Sequence, residues 1–452
     1  MTVPTVSVII PCFNYERWVA GAVRSALDQD WPAIEVIAVD DGSTDRTPEI
    51  LASFGDAIRV IRRPNGGLNA ATSTGLEAAT GEFLTFLDAD DEWGPDRCRL
   101  LAEALIAAPN AGLVYGDMEI IDTQGRTRVA SFREDQGIDA VGGRVLGRLL
   151  AGNFISAGSL MVRSSLRSRF HPIPDFAAWQ DWWIATRVAE VADVLPIDAV
   201  VNRYRDHGGN MNLGVSGPAF VELCRTELPF RRWLLTALDP AHATAKELVT
   251  GLVVYDSQLN RVANADNRPV REIGAPNEEE RARAGAAFAE GLSALAAHGV
   301  ERAVPALVVA AALVPGWVEP RLVLDDLLPE ITGEPEREAA PATRGLAIAV
   351  SAAAVFREPA LLEAWARTFS GRDDITLVVT GVREPRYVDA LVALAASYGL
   401  DRLDAADVVA VEERHLAAVS ARLGRPLSAA VGDAADVAAL AEALAAVPAA
   451  AA

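Results

Sequence analysis

Short apolar runs alternate with amphipathic stretches over the first hundred residues, and this alternation limits the fold more than any other feature. The apolar runs lie at residues 6–10, 35–39, 59–61 and 83–87. Stretches of helical length lie between them, at 18–29, 47–53 and 70–79. Strands that alternate with helices are typical of a mostly parallel sheet covered by helices on both faces. We therefore predict an α/β fold for this part of the chain.

A polar segment follows each of these strands. In chain order the segments read Pro-Cys-Phe-Asn at 11–14, Asp-Asp-Gly-Ser at 40–43, Asn-Gly-Gly-Leu at 65–68 and Asp-Ala-Asp-Asp at 88–91. The carboxyl ends of parallel strands meet at one edge of the sheet, and ligands bind just beyond that edge. We therefore predict that the four segments surround one ligand.

The last of these segments is the most acidic. Asp88 and Asp90 alternate at the end of a strand, so their carboxylates point to the same side. Clustered carboxylates repel one another, and a divalent cation with oxygen ligands relieves that repulsion. The pair is predicted to hold Mg²⁺ or Mn²⁺ against nucleotide phosphates, with a plain polar turn as the alternative. Asp91 is left open between a metal contact and a cap of the next helix, and Glu92 is expected only to be solvated.

Composition argues against several classes of protein. The formal charge of −21 over 452 residues disfavours sequence-independent binding to nucleic acid or anionic lipid. Three scattered cysteines do not make a disulfide framework or a zinc cluster. The sequence shows no secretion signal and no apolar run of the roughly 18 residues that a membrane span needs. We expect a cytoplasmic enzyme that does not bind nucleic acid, and peripheral attachment to a membrane stays open.

Four segments occur in the order and at the intervals of a known family. They are Val-Ser-Val-Ile-Ile-Pro-Cys-Phe-Asn at 6–14, Val-Asp-Asp-Gly-Ser-Thr-Asp at 39–45, Asn-Gly-Gly at 65–67 and Asp-Ala-Asp-Asp at 88–91. Together they resemble the signatures of family 2 glycosyltransferases, over about residues 5–212. The resemblance implies a GT-A nucleotide-diphospho-sugar transferase sheet. It also implies inverting transfer of a sugar from a nucleotide-activated donor, with Mn²⁺ or Mg²⁺ as cofactor.

The resemblance assigns roles to residues at the strand ends. Asp41 is expected to accept a hydrogen bond from the base, with helix capping as the alternative. His207 ends a Tyr-Arg-x-His segment and is expected to join the metal, although a lone histidine is often structural. The predicted donor-binding residues are Pro11, Phe13, Asn14, Tyr15, Asp41, Gly67, Asp88, Ala89, Asp90 and Arg205, and the predicted metal ligands are Asp90 (the strongest candidate), Asp88 and His207.

An acid among three tryptophans is the candidate general base. Asp181 lies in the segment Trp-Gln-Asp-Trp-Trp at 179–183, where apolar surroundings raise a carboxyl pKa toward a useful value. Family members commonly carry Glu-Asp here, and Gln180 replaces that glutamate. Asp181 is predicted to deprotonate the acceptor hydroxyl; alternatively, the tryptophans are core and Asp181 caps a helix. The acceptor is expected to lie against Trp179, Trp182, Gly158 and Ser159.

Thr72 is a second position that departs from the family pattern. Thr72 stands where an arginine usually contacts the nucleotide, and a hydroxyl cannot replace a guanidinium fork. The resemblance implies a UDP-sugar, but this departure leaves the base open unless another cation, such as Arg62 or Arg63, takes its place. The acceptor is not specified, and a glycan, a lipid-linked sugar or a small molecule would each fit.

The chain is predicted to contain four parts. A GT-A catalytic domain at 1–214 is followed by a helical extension at 215–331 and a linker at 332–344. Beyond it, strands at 345–350, 375–380 and 407–411 alternate with helices at 359–368, 385–398 and 413–423. This pattern predicts a small Rossmann-like α/β domain at 345–452. It has no phosphate-binding glycine motif, so docking or homo-oligomerisation is its expected role.

Three functions compete on this evidence. The leading prediction is a metal-dependent inverting glycosyltransferase that uses Asp181 as general base. The alternative from another class is a catalytically silent protein that binds nucleotide sugars or acts as a scaffold. A nucleotidyltransferase also uses such a sheet, but it would need a glycine-rich loop with Arg and Lys, which residues 11–15 do not offer.

Overall fold

Eight strands form one mixed sheet in the first part of the chain. The computed structural model describes residues 3–210 and 216–332, together with four strands beyond residue 345. The order across the sheet is β3-β2-β1-β4-β7-β5-β6, and β8 pairs with β5. The strands are β1 Val6–Cys12, β2 Ile34–Asp40, β3 Arg59–Arg62, β4 Phe83–Phe86, β5 Ala111–Ile121, β6 Thr127–Val129, β7 Leu160–Arg163 and β8 Asp193–Arg205.

The sheet as a whole is mixed, and the parallel arrangement predicted for the first hundred residues is confirmed there. The four strands of the first hundred residues are parallel neighbours, as expected. In contrast, β7 runs antiparallel to both β4 and β5. A second difference concerns β1, which continues through Pro11 instead of stopping there. The pairing of β1 with β4 ends at Ile9, so Pro11 is bridged only to β2, through Val39.

Successive side chains of the central strands enter two separate cores. Ile9 and Val39 belong to one apolar cluster, whereas Val8 and Ala38 belong to the other, and all four are fully buried. Because side chains alternate along a strand, a sheet buried on both faces reads as a continuous apolar run. This explains the unbroken apolar runs from which the fold was predicted.

Helices cover both faces of the sheet. Those that pack on the sheet are α1 Val19–Leu27, α2 Thr47–Ala52, α3 Leu68–Ala78, α4 Arg97–Ala107, α5 Phe132–Gln136, α6 Leu146–Ala151, α7 Arg167–Phe170 and α8 Gln180–Ala189. Buried residues of α1, α2 and α4 lie in one cluster, and those of α3, α6 and α8 lie in the other. The strand ends are therefore the open edge of this arrangement.

A helical extension follows the sheet. Its helices are α9 Gly217–Ala237, α10 Ala245–Asp266, α11 Glu278–His298, α12 Val300–Leu313 and α13 Val318–Thr332. It shares a core with α8, because the Trp182 ring meets Phe230 edge-on at 5.1 Å and the Trp183 ring lies 5.0 Å from Trp233. Among the described residues, no helix has both the length and the apolar character needed to span a bilayer.

The chain divides into two units, Met1–Thr332 and Gly333–Ala452. In the second unit, β9 Leu346–Ser351, β10 Ile375–Thr380, β11 Asp407–Val411 and β12 Ala429–Ala430 form a parallel sheet in the order β11-β10-β9-β12. The helices predicted at 359–368, 385–398 and 413–423 lie outside the described residues, and so does the linker predicted at 332–344 except for Thr332.

Candidate active site

The loop after β1 is tied to the loop after β2. Asn14 adopts φ 59°, a left-handed conformation that asparagine tolerates. Its N–H donates to Ser43 Oγ at 3.0 Å, and its Oδ1 accepts the Thr44 N–H at 2.8 Å. The Tyr15 N–H likewise donates to Thr47 Oγ1 at 2.9 Å. These backbone donors, which were expected to face a nucleotide, therefore bind the neighbouring loop.

The residues beside this link differ in accessibility. Phe13 is 44% exposed at the end of β1, so its ring is available to a ligand. Pro11 is buried inside the strand, and its predicted contact with the donor is therefore wrong. Ala89 is also buried, with 1% exposure. Its predicted part in donor binding is limited to the backbone.

Asp41 holds the turn that follows β3. Its carboxylate accepts the N–H of Gly66, 3.1 Å from both oxygens, and the N–H of Gly67 at 2.7 Å. The Arg63 guanidinium donates to the same carboxylate. Gly67 has φ 85°, which an L residue rarely adopts, so glycine is required at this point of the turn.

Asp90 and His207 meet across 117 residues of sequence. Asp90 Oδ2 lies 3.0 Å from His207 Nε2, and both side chains are largely buried. The Gly209 N–H donates to His207 Nδ1 at 3.2 Å, which makes Nδ1 the acceptor and leaves Nε2 to face the acid. The predicted metal ligands Asp90 and His207 are thus adjacent.

A divalent ion fits this pair only with help from a ligand. Within the described residues, no three His, Cys, Asp or Glu side chains are grouped closely enough to hold a metal by themselves. Mg²⁺ is commonly held by one or two carboxylates together with substrate phosphates. Asp90 and His207 present one oxygen and one nitrogen ligand side by side, and an ion at Nε2 would take the place of its proton.

The acids after Asp90 bind the strand β8. Asp91 is 1% exposed, and its two oxygens accept the Asn202 side-chain amide at 3.0 Å and the Arg205 N–H at 2.9 Å. Burial, followed by repulsion from Asp90 and Asp88, raises the pKa of Asp91 well above its usual range. Glu92 was expected only to be solvated, and this was wrong, because it pairs with Arg203 at 3.0 Å and with Arg205 at 2.6 Å.

Arg205 is part of this network, and its predicted contact with the diphosphate is corrected. The residue is 3% exposed. Its guanidinium donates to the Asp90 carbonyl at 2.8 Å, the Asp122 carbonyl at 3.1 Å and Glu92 Oε1 at 2.6 Å. A buried cation whose donors are held by the protein orders the acidic loop and does not face a ligand.

An exposed cation that the sequence did not single out lies on the same stack of rings. The Arg17 guanidinium lies 4.1 Å from the centre of the Trp18 ring, and that ring stacks on His207 at 6.3 Å. Arg17 is exposed, and the described residues offer it no carboxylate partner. Its position two residues after Tyr15 in the loop after β1 was the signal that could have identified it.

Asp181 lies in the first turn of α8. Its carboxylate accepts the Ala157 N–H at 3.0 Å, the Trp182 N–H at 2.6 Å and a hydrogen bond from the Asn153 side chain. These bonds lower its pKa, but burial outweighs them and raises it to about 6. A carboxylate with this pKa is ionised at neutral pH and can still accept a proton.

Asp88 connects the acidic loop with the candidate base. Burial, and then repulsion from Asp90 and Asp181, raises the pKa of Asp88 to about 8. Asp88 follows β4, whereas Asp181 lies in the first turn of α8. The site therefore has acidic groups on two sides, contributed by two parts of the fold.

The predicted acceptor residues are mostly buried, and three of them are corrected. Trp182 is 1% exposed and donates its indole N–H to the Leu149 carbonyl at 2.9 Å. Gly158 is buried against the Asn202 side chain, 2.5 Å from where a Cβ would lie. Ser159 is 2% exposed and donates to the Ser156 carbonyl. Only Trp179 is partly accessible. The segment 153–159 therefore supports Asp181 and Asn202, a link that the sequence did not reveal.

The two departures from the family pattern contact each other. The Thr72 hydroxyl donates to the Gln180 side-chain carbonyl, and both residues are at most 2% exposed. Thr72 is therefore remote from any ligand surface. Of the two cations considered as substitutes, Arg62 lies 3.1 Å from Asp40, and Arg63 binds Asp41.

Comparisons with known proteins agree with this arrangement. The model of glycosyl transferase family 2 matches residues 7–170. An uncharacterized glycosyltransferase of Nostoc sp. is 29% identical over 218 residues, which make up 47% of this chain and 67% of that protein. The putative glycosyltransferase EpsH of Bacillus subtilis is 39% identical over 101 residues, 22% of this chain and 29% of that protein. Apart from the Nostoc protein, the first relatives are matched over 38% of their length or less.

A likeness to solved structures is weaker. S. aureus TarS 1-349, solved in complex with UDP-GlcNAc, aligns with 72% of this chain and 92% of its own, at 19% identity and a TM-score of 0.41. A score at this level carries no structural argument, so the assignment rests on the sequence match. That match covers β1 to β4 and the acidic loop, so this part of the chain is similar to glycosyl transferase family 2.

Proposed function

We propose that the chain transfers a sugar from a nucleotide-diphosphate donor to an acceptor hydroxyl, with inversion at the anomeric carbon and with Asp181 as general base. The observation that carries the proposal is a series of contacts that joins Asp181 to the acidic loop. Ala157 donates to Asp181, and the next residue, Gly158, packs on Asn202, which donates to Asp91. This series of contacts sets a proton acceptor from α8 opposite the acidic loop after β4. Inverting transfer needs such a base on the side of the sugar away from the leaving diphosphate.

The reaction forms one bond and breaks one bond. Asp181 takes the proton of the acceptor hydroxyl while the hydroxyl oxygen attacks the anomeric carbon. The bond from that carbon to the diphosphate oxygen breaks, and the nucleoside diphosphate leaves with the electron pair. The Ala157 and Asn153 hydrogen bonds keep the Asp181 carboxylate oriented during proton transfer.

The Asp90–His207 pair supports the proposed use of Mn²⁺ or Mg²⁺. These two side chains would hold the ion, and the diphosphate would complete its coordination. When bound, the ion supplies positive charge that stabilises the leaving diphosphate. Arg17 is exposed beside the same ring stack, so we assign to it the diphosphate contact first expected of Arg205.

A donor panel tests the proposal. The protein is incubated with nucleotide-diphosphate sugars and Mn²⁺, and release of nucleoside diphosphate is measured with and without candidate acceptors. We expect release with at least one donor, and a loss of about 100-fold or more in acceptor-dependent transfer for Asp181→Asn. Nucleotide affinity should stay within about twofold of wild type, because Asp181 does not touch the nucleotide in this mechanism.

Asp175→Asn is the matched control, since Asp175 is an exposed acid in the loop before α8. It should keep full transfer. Full transfer by Asp181→Asn would show that another group removes the proton. Binding of a donor with no turnover under any condition would instead favour the alternative, a catalytically silent protein that binds nucleotide sugars.

A further inference from the structure

The carboxylate expected to read the nucleotide base is already filled by the protein. Asp41 accepts the N–H of Gly66 on both oxygens, the N–H of Gly67 on Oδ2 and the Arg63 guanidinium on Oδ1. A carboxylate offers about four lone-pair directions. Asp41 is also 2% exposed. It has little capacity left to accept an N–H group from a base.

Arg63 is the accessible partner in this cluster. Its side chain is 25% exposed, and its Nη1 binds Asp41. Among the described residues no hydrogen bond is made by its Nε or Nη2, so these donors remain for a ligand. The guanidinium lies directly over Gly66, because a Cβ at that position would come within 2.7 Å of Nη1 and 2.8 Å of Nη2. A larger residue at position 66 would displace the end of the Arg63 side chain.

The location of Arg63 is that of the expected base site. It follows β3 directly, and its carboxylate partner follows β2. The β2 loop is tied to the β1 loop by the Asn14–Ser43 hydrogen bond, next to the exposed ring of Phe13. The other position where a base-contacting cation was expected holds Thr72, which is buried against Gln180.

We propose that Arg63 reads the nucleotide base, and that the site selects a base with two adjacent hydrogen-bond acceptors, guanine first. This rests on the proposed nucleotide-diphosphate donor. A guanidinium fork matches the O6 and N7 acceptors of guanine. Cytosine also has two adjacent acceptors, O2 and N3. Uracil has an N–H between its two carbonyls, and adenine has an amino group next to its acceptors. In uracil and adenine these N–H groups meet the donors of the fork, so only one hydrogen bond can form. The N1–H and amino group of guanine lie on the edge away from O6 and N7 and do not oppose the contact.

Binding of free nucleotides tests this without turnover. Affinities of the full chain for GDP, CDP, UDP and ADP are measured by calorimetry in the presence of Mg²⁺. We expect GDP to bind roughly tenfold or more tightly than UDP and ADP, the discrimination typical of one bidentate contact. The affinity for CDP should lie between the affinities for GDP and UDP or equal that for GDP. UDP as the tightest ligand would overturn the proposal.

Two variants test whether Arg63 causes the preference for GDP over UDP. Arg63→Ala should reduce the GDP to UDP affinity ratio to about twofold or less, and Arg63→Lys should do the same, because lysine keeps the charge but lacks the fork. Arg59→Ala, at the start of the strand β3 that Arg63 follows, is the matched control and should keep the wild-type ratio. Thermal unfolding of each variant shows whether the turn is intact, and the ratio is internally controlled because both affinities are measured on one protein.

The possible outcomes separate two ideas. A wild-type preference for GDP that persists in both Arg63 variants would show that another residue reads the base, and would refute the role of Arg63. A preference for UDP would refute the selectivity but leave the glycosyltransferase proposal standing. If none of the four nucleotides binds, the proposed donor class itself is wrong.

Discussion

Asp181 shows how one side chain combines two opposing influences. Three hydrogen bonds favour its ionised form, and burial favours its neutral form more strongly, so its pKa rises from 3.8 to about 6. A general base works only when ionised. We therefore expect kcat/KM for transfer to fall as the pH drops through about 6, tenfold per unit at lower pH. A profile that stays flat to about pH 4.5 would mean that a group with an ordinary carboxyl pKa is the base.

Arg17 and Arg205 share the Trp18 ring but have different surroundings. Arg205 is buried among carbonyls and Glu92, so Arg205→Ala should destabilise the fold by about 3–5 kcal/mol, as when one partner of a buried ion pair is removed. Arg17 is exposed, so Arg17→Ala should change stability by less than about 0.5 kcal/mol. It should instead weaken binding of nucleoside diphosphate about tenfold.

Denaturant unfolding and calorimetric titration measure the two effects. The diphosphate contact assigned to Arg17 would be refuted if Arg17→Ala unfolded the protein or left the nucleotide affinity unchanged. Arg17→Lys is the conservative variant, and it should retain most of the affinity because it keeps the charge near the phosphates.

At this scale the sequence predicted residue types better than contacts. The pairing of Asp90 with His207 was foreseen, because both belonged to recognisable motifs at fixed places in the fold. The filling of Asp41 was not foreseen, since it depends on how the turn at Gly66 folds back onto β2. The sequence also does not predict which of the chain's acids pairs with a given arginine. Arg205 is followed directly by Asp206, and only the packing of β8 decides that it binds Glu92 instead.

The elements of the first hundred residues were predicted closely, for a local reason. Helices α1 to α3 lie within two residues of the predicted bounds, because short apolar strands and capping segments mark their ends. The antiparallel half of the sheet was not predicted. Strand β8 was not predicted either: it runs parallel to β5 and pairs with it through several register shifts, and such irregular pairing leaves no simple period in the sequence.

Packing of α11 on α12 gives a prediction at the level of elements. A Cβ on Gly291 would lie 2.8 Å from two carbons of Leu307, whereas a Cβ on Gly285 of the same helix would meet nothing within 4 Å. Gly291→Ala should therefore destabilise the protein by about 1–3 kcal/mol through overpacking. Gly285→Ala should stabilise it by up to about 1 kcal/mol, since alanine favours a helix over glycine.

The two variants are compared by denaturant unfolding under identical conditions. Both variants replace glycine by alanine in the same helix, so the effect of helix propensity is equal in the two and cancels from the difference in their stabilities. Equal stabilities for both variants would show that α11 does not approach α12 closely at Gly291.

The division of the whole chain gives a further prediction. Trp182 and Trp183 of α8 pack on Phe230 and Trp233 of the extension. A chain ending at residue 214 loses these buried rings, and each loss of this kind costs about 3–5 kcal/mol. Total stabilities are only about 5–15 kcal/mol, so this fragment should not unfold cooperatively. A chain ending at Thr332 keeps the complete first unit and should unfold cooperatively.

Circular dichroism during heating distinguishes the two fragments. A sharp transition in the fragment that ends at 214 would show that the sheet is stable without the extension. The sequence placed a boundary here because the family resemblance ends near it. The resemblance marks the limits of shared chemistry, whereas the core runs on through α9, α10 and α12.

The stack of Trp18 on His207 has a spectroscopic consequence. Indole fluorescence responds to charge placed beside the ring, and a metal ion bound to the imidazole would place positive charge there. The emission of Trp18 therefore reports on the state of His207, and with it on occupancy of the adjacent acidic loop. The other eight tryptophans contribute a background that a Trp18→Phe protein would supply for subtraction. The protein thus contains its own optical probe, and ion and nucleotide binding can be followed without a label.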